Sequence, residues 1–322
     1  MMRPWLTLSV ISMVAALPNF ASAQNYPAKA IRIVVAYPAG GANDIIARAV
    51  GQRMTEVLGQ PVIVDNRGGG GGTLGADIAA KSASDGYTLF MAAGAHALAP
   101  SLYARLPYDI IGDFAPVSLA AKGAYLLAVH PSLPVKSVKE LIVFAKARPG
   151  QLNFASSGIG APPHLAGELF KSMAGINITH VAYKGDTPAL IDLIGGHVGM
   201  AFMTLSATAP HVKSGKLRGL AVTSSKRSAM VPELPSISEA GLPGYEMSTW
   251  WGLLAPAKTP GEIITRLNAT LSKIVGEPEF RQRLAAQGMD AESNTPEQYA
   301  AFIKSEKEKY ARLAQAAGVK PE

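Results

Sequence analysis

Gly40, Gly41, Asn43 and Asp44 stand where an apolar run gives way to a helical pattern. Ile31, Ile33, Val34, Val35 and Ala36 read as a strand, and Tyr37-Pro38-Ala39-Gly40-Gly41 breaks it sharply. Asn43 and Asp44 are good N-cap types, and Ile46, Val50, Met54 and Val57 recur at helical spacing after them. A strand, a glycine turn and a helix N-terminus together make an anion site. Glycine lets the backbone approach closely, and the unpaired N–H groups and the helix dipole favour negative charge. Related arrangements recur at residues 153–160, with Ser156, Ser157, Gly158 and Gly160, and at 183–188, with Tyr183, Lys184, Gly185, Asp186 and Thr187. The recurrence suggests a small anionic ligand held between several helix ends. A tight turn with an ordinary cap is the plainer account of any one of them, and on the residues alone both readings stand.

Other chemistries fit these residues less well. Ser156 and Ser157 with His164 invite a hydrolase reading, but the G-x-S-x-G elbow is absent, since Asn153, Phe154 and Ala155 precede the serines. His164 is expected inside the first turns of the following helix, and the hydroxyls suit a carboxylate ligand as neutral donors. At 183–188, main-chain donors near Gly185 and Thr187 are better anion contacts than a solvated Lys184. Gly70, Gly72 and Gly75 match G-x-G-x-x-G spacing, a cheap match in a run of five glycines, 68–72. No acidic residue ends a strand some 20 residues on, and no Gly-Lys-Ser/Thr follows, so neither a dinucleotide fold nor a P-loop is expected. The run reads as a flexible loop ending in a helix capped by Thr73. Of six histidines, none pairs with another at i+3 or i+4, and no metal or cofactor is expected. Trp250-Trp251 reads as core or interdomain packing, with ligand stacking as the lesser alternative.

The elements that would position these residues alternate between strand and helix, which argues for α/β layers with much parallel sheet. Further strands are expected at 61–64, 87–91, 126–129, 152–155, 178–182, 198–203, 217–223 and 250–255. Helices are expected at 74–81, 135–147 with Ser137 as a cap, 163–173, from Thr187-Pro188 to Gly195, and at 260–275, 278–287 and 295–317. Residues 225–244, rich in Pro, Ser and Gly, read as a surface loop.

The N-terminus carries an export address: Arg3, an apolar stretch over 5–17, and Ala21-Ser22-Ala23, which predicts cleavage after Ala23 and leaves residues 24–322. The apolar stretch is shorter than the ~20 residues of a spanning helix. The expected location is the periplasm. With no cysteine in 322 residues, stability must come from a hydrophobic core, and the length favours two domains. The net charge of +7 comes from scattered residues rather than a basic run, so nucleic acid is not an expected partner; the excess would draw in anionic solutes.

At this point the chain resembles a family. Tyr37-Pro38-Ala39-Gly40-Gly41 with Asp44, Asp65-Asn66-Arg67, Asp85-Gly86-Tyr87-Thr88-Leu89, Leu106-Pro107-Tyr108-Asp109, Ser157-Gly158 with His164-Leu165, and Leu220-Ala221-Val222-Thr223 are similar to Bug-type extracytoplasmic solute receptors. These are the substrate-binding components of tripartite tricarboxylate transporters. The resemblance spans residues 26–320. It implies a two-lobed type II periplasmic-binding-protein-like α/β fold with a ligand cleft between the lobes, one comprising 24–125 plus 247–322 and the other 126–246. It also implies a monomer that binds a small mono-, di- or aromatic carboxylate, largely through backbone amides and ordered water. By position, the ligand loops would hold Tyr37, Gly40, Gly41, Ala42, Asn43 and Asp44; Gly72 and Thr73; Ala93, Gly94 and Ala95; Ser156, Ser157, Gly158 and Gly160, with His164 after them; Tyr183, Gly185, Asp186 and Thr187; and Thr204. Members often carry acidic residues where this chain has Gly199 and Thr204, a departure that favours a plain or aromatic carboxylate over an amino acid. The implied partners are membrane permease subunits. A sensory receptor presenting the same closed form to a signalling protein is the alternative, and an exported hydrolase using Ser157 and His164 a more distant one.

Overall fold

Three parallel strands begin the fold, and the sequence of the central one shows why it is covered on both faces. β1 (Ile31–Val35) lies between β2 (Val62–Asn66) and β3 (Thr88–Ala93), with Ile33 opposite both Val64 and Leu89. Ile31, Ile33, Val34 and Val35 are fully buried, as the unbroken apolar run requires of a parallel strand between helical layers. These strands lead into α1 (Ala42–Leu58), α2 (Thr73–Ala80) and α3 (Gly94–Leu98). The structure, a computed structural model, describes residues 26–183 and 185–321. The expected signal segment and its cleavage point, and Lys184, lie outside the described residues.

A second set of parallel strands repeats the pattern. β5 (Asn153–Ser156) runs parallel to β6 (Thr179–Ala182) on one side and to β7 (Met200–Thr204) on the other. They feed α5 (Pro162–Ala174), α6 (Asp186–Ile194) and α7 (Leu205–Lys213). Two long antiparallel strands join the sets. β4 (Phe114–Val129) pairs with β9 (Ser248–Pro256) from Phe114 to Ala124, then with β7 from Tyr125 to Val129. The order is β2-β1-β3-β9-β4-β7-β5-β6, with β8 (Arg218–Val222) and β10 (Met289–Ala291) also paired to β4. The result is two α/β halves linked through β4 and β9, in keeping with the two-lobed expectation.

The remaining helices cover the sheet faces. α4 (Val138–Ala147) is capped by Ser137, whose hydroxyl accepts from the Glu140 amide at 3.2 Å. α8 (Gly261–Gly276) and α9 (Pro278–Ala285) pack on the first half, and α10 (Pro296–Ala316) starts at a capping box of Thr295 and Gln298. Trp250 and Trp251 point to opposite faces of β9, Trp250 against Tyr299 and Phe302, Trp251 among Ala121 and Met289.

Several elements depart from expectation. The helix at 135–147 begins only at Val138. The five-residue α3 and three-residue β10 are too short to show a period. α7 carries Pro210, which reads as a helix breaker. The first part of β4 holds Pro116, Ser118 and Lys122 and slips register twice against β9, so no alternation survives there. Residues 225–244 form no helix or strand, but Val231, Ser236 and Ile237 are fully buried, so this segment packs into the second half rather than merely crossing the surface.

Candidate functional site

The six parallel strands all discharge their chains at C-terminal sheet edges, three per half, where α/β folds hold ligands. In the first half, Tyr37–Gly41 turns β1 into α1, the glycine run leads from β2 to α2, and β3 passes directly into the single turn of α3. The turns are laced together. The Tyr37 carbonyl accepts from Asn66 Nδ2 at 3.0 Å, and the Tyr37 hydroxyl donates to the Gly71 carbonyl at 3.4 Å. In the second half, the Tyr183 amide donates to the Ser156 carbonyl at 3.1 Å and the Gly185 amide to the Ser157 carbonyl at 3.0 Å. The Thr204 hydroxyl donates to Asp186 Oδ2 at 2.9 Å. Three junctions are thereby tied into one rim.

The capping residues are not those the sequence suggests. Gly41, extended at φ −80°, is the N-cap of α1, which puts Asn43 and Asp44 inside its first turn. Asp44 Oδ2 instead reaches back to accept from the Gly40 amide at 2.9 Å and from Arg48 Nε at 2.9 Å. Burial alone would push this carboxyl up, but those hydrogen bonds hold it below its usual value. Asn43 Oδ1 accepts from Trp251 Nε1 at 2.8 Å, fastening the start of α1 to the crossover strand β9. Gly72, not Thr73, caps α2, and Gly185, not Thr187, caps α6. Their φ angles of 100° and 110° suit glycine. Pro188 then falls at N3, two positions after N1, where its missing N–H still has no helical acceptor to lose.

Ser156 and His164 sit behind their turn. Ser156 is fully buried, and its hydroxyl lies 2.6 Å from His180 Nε2 and 3.1 Å from the Gly158 carbonyl. His164 Nδ1 accepts from the Gly160 amide at 3.0 Å, and its ring stacks on His180 at 3.8 Å between centroids. Burial pushes both imidazoles down to about 4, so both are neutral near pH 7, and each holds the 156–160 turn in shape. With Nδ1 taken by the turn, His164 makes no hydrogen bond to Ser157 that would fit the hydrolase arrangement.

Between the halves lies a cavity of about 130 Å³. Ala42 at the start of α1 and Thr204, Leu205 and Ser206 at the start of α7 face each other across it, with Tyr125 and Trp251 from the crossover strands. The structure thus brings the β1–α1 and β7–α7 junctions together. Thr204 ties in Asp186 and the β6–α6 junction through its hydroxyl. The 156–160 turn meets the first half elsewhere, at Leu102: a Cβ on Gly160 would stand 2.5 Å from Leu102 Cδ2. Tyr125, Trp251, Leu205 and Ser206 border the cavity without having been singled out from the sequence as site residues. Tyr125 lies inside an apolar strand run, and nothing local marks it. Burial, with Asp186, Glu306 and Tyr37 near, pushes its hydroxyl pKa well above the usual tyrosine value, so it stays a neutral donor. Among the described residues, no group of three or more His, Asp or Glu gathers in a metal-holding arrangement.

The comparisons with known proteins agree with one another. A family model described as "Tripartite tricarboxylate transporter family receptor" matches residues 46–319. Protein BugT of Bordetella pertussis is 38% identical over 318 residues, covering 97% of this chain and 98% of that protein. Among solved structures, R. palustris Rpa4515 with adipate is 37% identical with a TM-score of 0.77, covering 92% of this chain and 100% of that one. MatC from Rhodopseudomonas palustris with bound malate is 31% identical with a TM-score of 0.71, covering 89% of this chain and 99% of that one.

Proposed function

The chain belongs to the tripartite tricarboxylate transporter receptor family, and from that premise we propose that it is an extracytoplasmic receptor holding a small carboxylate between its two halves. The observation that carries the reading is the cavity bordered by helix starts from both halves, in a fold whose relatives hold adipate and malate. The N-termini of α1 and α7 border the cavity and present amide donors there, and each dipole adds roughly 0.3–1 kcal/mol for a nearby anion. Tyr125 and Thr204 add neutral hydroxyls. The site thus recognises a carboxylate without an arginine in the cavity wall.

The lobes move as units on this reading, one comprising 24–125 plus 247–322 and the other 126–246, hinged where β4 and β9 cross. Closure on the ligand excludes water, which strengthens each amide–carboxylate contact. The closed form is what membrane permease subunits would recognise. The signal segment directs export and is cleaved after Ala23, and the receptor acts as a monomer that binds without turnover; its family and structural relatives are solute-binding proteins.

Titration of mature protein, unfolded and refolded to strip carried solute, against a panel of mono-, di- and aromatic carboxylates tests the proposal. At least one member should give a calorimetric isotherm and raise the melting temperature with concentration. No response to any member would contradict the reading.

A further inference from the structure

A second cavity between the halves, of about 450 Å³, opens where the 156–160 turn meets the first half. Leu102 and Tyr103, which follow α3, and the chain end at 318–321 wall it on one side, and Ile159 alone represents the second half. The first-half wall is braced. The Leu102 and Tyr103 amides donate to the Ala99 carbonyl at 2.9 and 3.0 Å. The Tyr103 hydroxyl packs on the glycine run, where a Cβ on Gly71 would collide with it. After α10 the chain turns at a left-handed Gly318, φ 68°, and the Val319 amide donates back to the Ala314 carbonyl at 2.9 Å. On the other side, Ile159 sits between Gly158 at φ 148° and Gly160 at φ 73°, backbone that favours glycine. Gly160 already rests on Leu102, in a contact that leaves no room for a larger residue. Ile159 beside it is 73% exposed. One exposed isoleucine is ordinary on a protein surface. This one borders an interlobe cavity whose opposite wall carries Leu102, Val319 and Pro321, and it belongs to the turn that brings Ser157 and Gly158 to the rim.

We propose that Ile159 is the latch of the closed receptor: when the halves close on a solute, its side chain leaves water and seats in this cavity against Leu102 and Val319, with the Leu102–Gly160 contact as the fulcrum. The inference rests on the carboxylate reading and deepens it. Solute and latch act on one turn, so whatever orders 156–160 from the cleft also presses Ile159 onto the first half. The apolar surface removed from water is the same whichever solute is held. The latch therefore sets how long a solute stays, not which solute enters.

Refolded wild type and Ile159→Ser are titrated with adipate, malate, succinate and benzoate, and dissociation of each bound member is timed by stopped flow. Ile159→Ser should speed dissociation roughly 10-fold, by one common factor for every member that wild type binds, as expected when most of one isoleucine side chain is no longer taken out of water. Its melting temperature without added solute should match wild type, because the side chain is exposed. Since the chain has no cysteine, a single introduced thiol reports the motion. A thiol reagent should label Ile159→Cys several-fold more slowly once the solute saturates the protein, while Val143→Cys, at a 68% exposed position on α4, keeps its rate. Wild-type dissociation in Ile159→Ser, or undiminished labelling of Ile159→Cys at saturation, overturns the proposal. A loss confined to adipate or benzoate also overturns it, because the body of the solute would then be what fills the cavity. If wild type binds no member, the carboxylate reading fails, and the latch is read without solute from the double variant Ile159→Cys/Val319→Cys under mild oxidation. An intramolecular disulfide would keep the latch although that reading had failed, and its absence would remove both.

Discussion

Asp186 sets a charge problem at the rim. It is a carboxylate at the start of α6, hydrogen-bonded by Thr204, whose neighbours at the opening of α7 border the interlobe cavity. An acid there steadies the helix dipole but repels an anionic ligand. Expectation from the sequence held that this chain lacks an acid near Thr204, because Gly199 and Thr204 replace the usual acidic positions. The fold brings an acid to Thr204 from another loop, a pairing across 18 residues that no linear pattern announces. Asp186→Asn keeps the shape and an acceptor for Thr204 while removing the charge. It should tighten binding of a plain dicarboxylate about 3- to 10-fold and weaken any ligand that carries an ammonium group, as read by calorimetry at fixed ionic strength. The opposite order would mean that Asp186 reads a cationic group on the solute. Other residue roles were partly legible. Gly40, Gly41 and Gly185 could be placed at turns from their type alone. Which of them caps the helix depended on φ angles and side-chain hydrogen bonds that composition does not encode.

At the scale of elements, the histidines tie turns to the strands beneath them. His164 and His180 brace the 156–160 turn, and His96 braces the start of α3. Burial holds all three imidazoles near 4, below their value of about 6.5 in an unfolded chain. Between those values the unfolded chain binds more protons, so their stabilising contribution is complete above about pH 6.5 and is lost as pH falls toward 4. For the fully buried His96 the loss at pH 5 is on the order of 2 kcal/mol; the buried His164 and the partly exposed His180, stacked on each other, add to it. Urea midpoints should therefore be level from pH 8 to 7 and fall between pH 6.5 and 5, before most carboxylates titrate. A midpoint unchanged down to pH 5 would show that these rings are protonated without strain. The helices with clear periodicity and the strands with unbroken apolar runs were readable from the chain. The crossing of β4 was not: its outer half mixes Pro116, Ser118 and Lys122 with apolar residues, and its partner β9 lies more than a hundred residues away, so only tertiary pairing defines it.

For the whole molecule, two α/β halves share one pair of crossing strands, and the starts of α1 and α7 meet at the seam. The cysteine-free chain relies on this burial for stability, with a core that includes Trp250, Phe90 and Tyr299 running through both halves. The alternation of elements made the α/β class legible, and family motifs made the two-lobed arrangement legible. The seam itself, with Tyr125, Trp251 and Ser206, arises only when residues far apart in sequence are folded together. The central claim is that a carboxylate sits in that seam. A crystal structure of the mature protein bound to its tightest panel carboxylate tests this most directly. The account predicts the carboxylate between the halves, within hydrogen-bond reach of amides at the starts of α1 and of α6 or α7. A carboxylate bound outside the seam, or held by one half alone in a closed molecule, would contradict it.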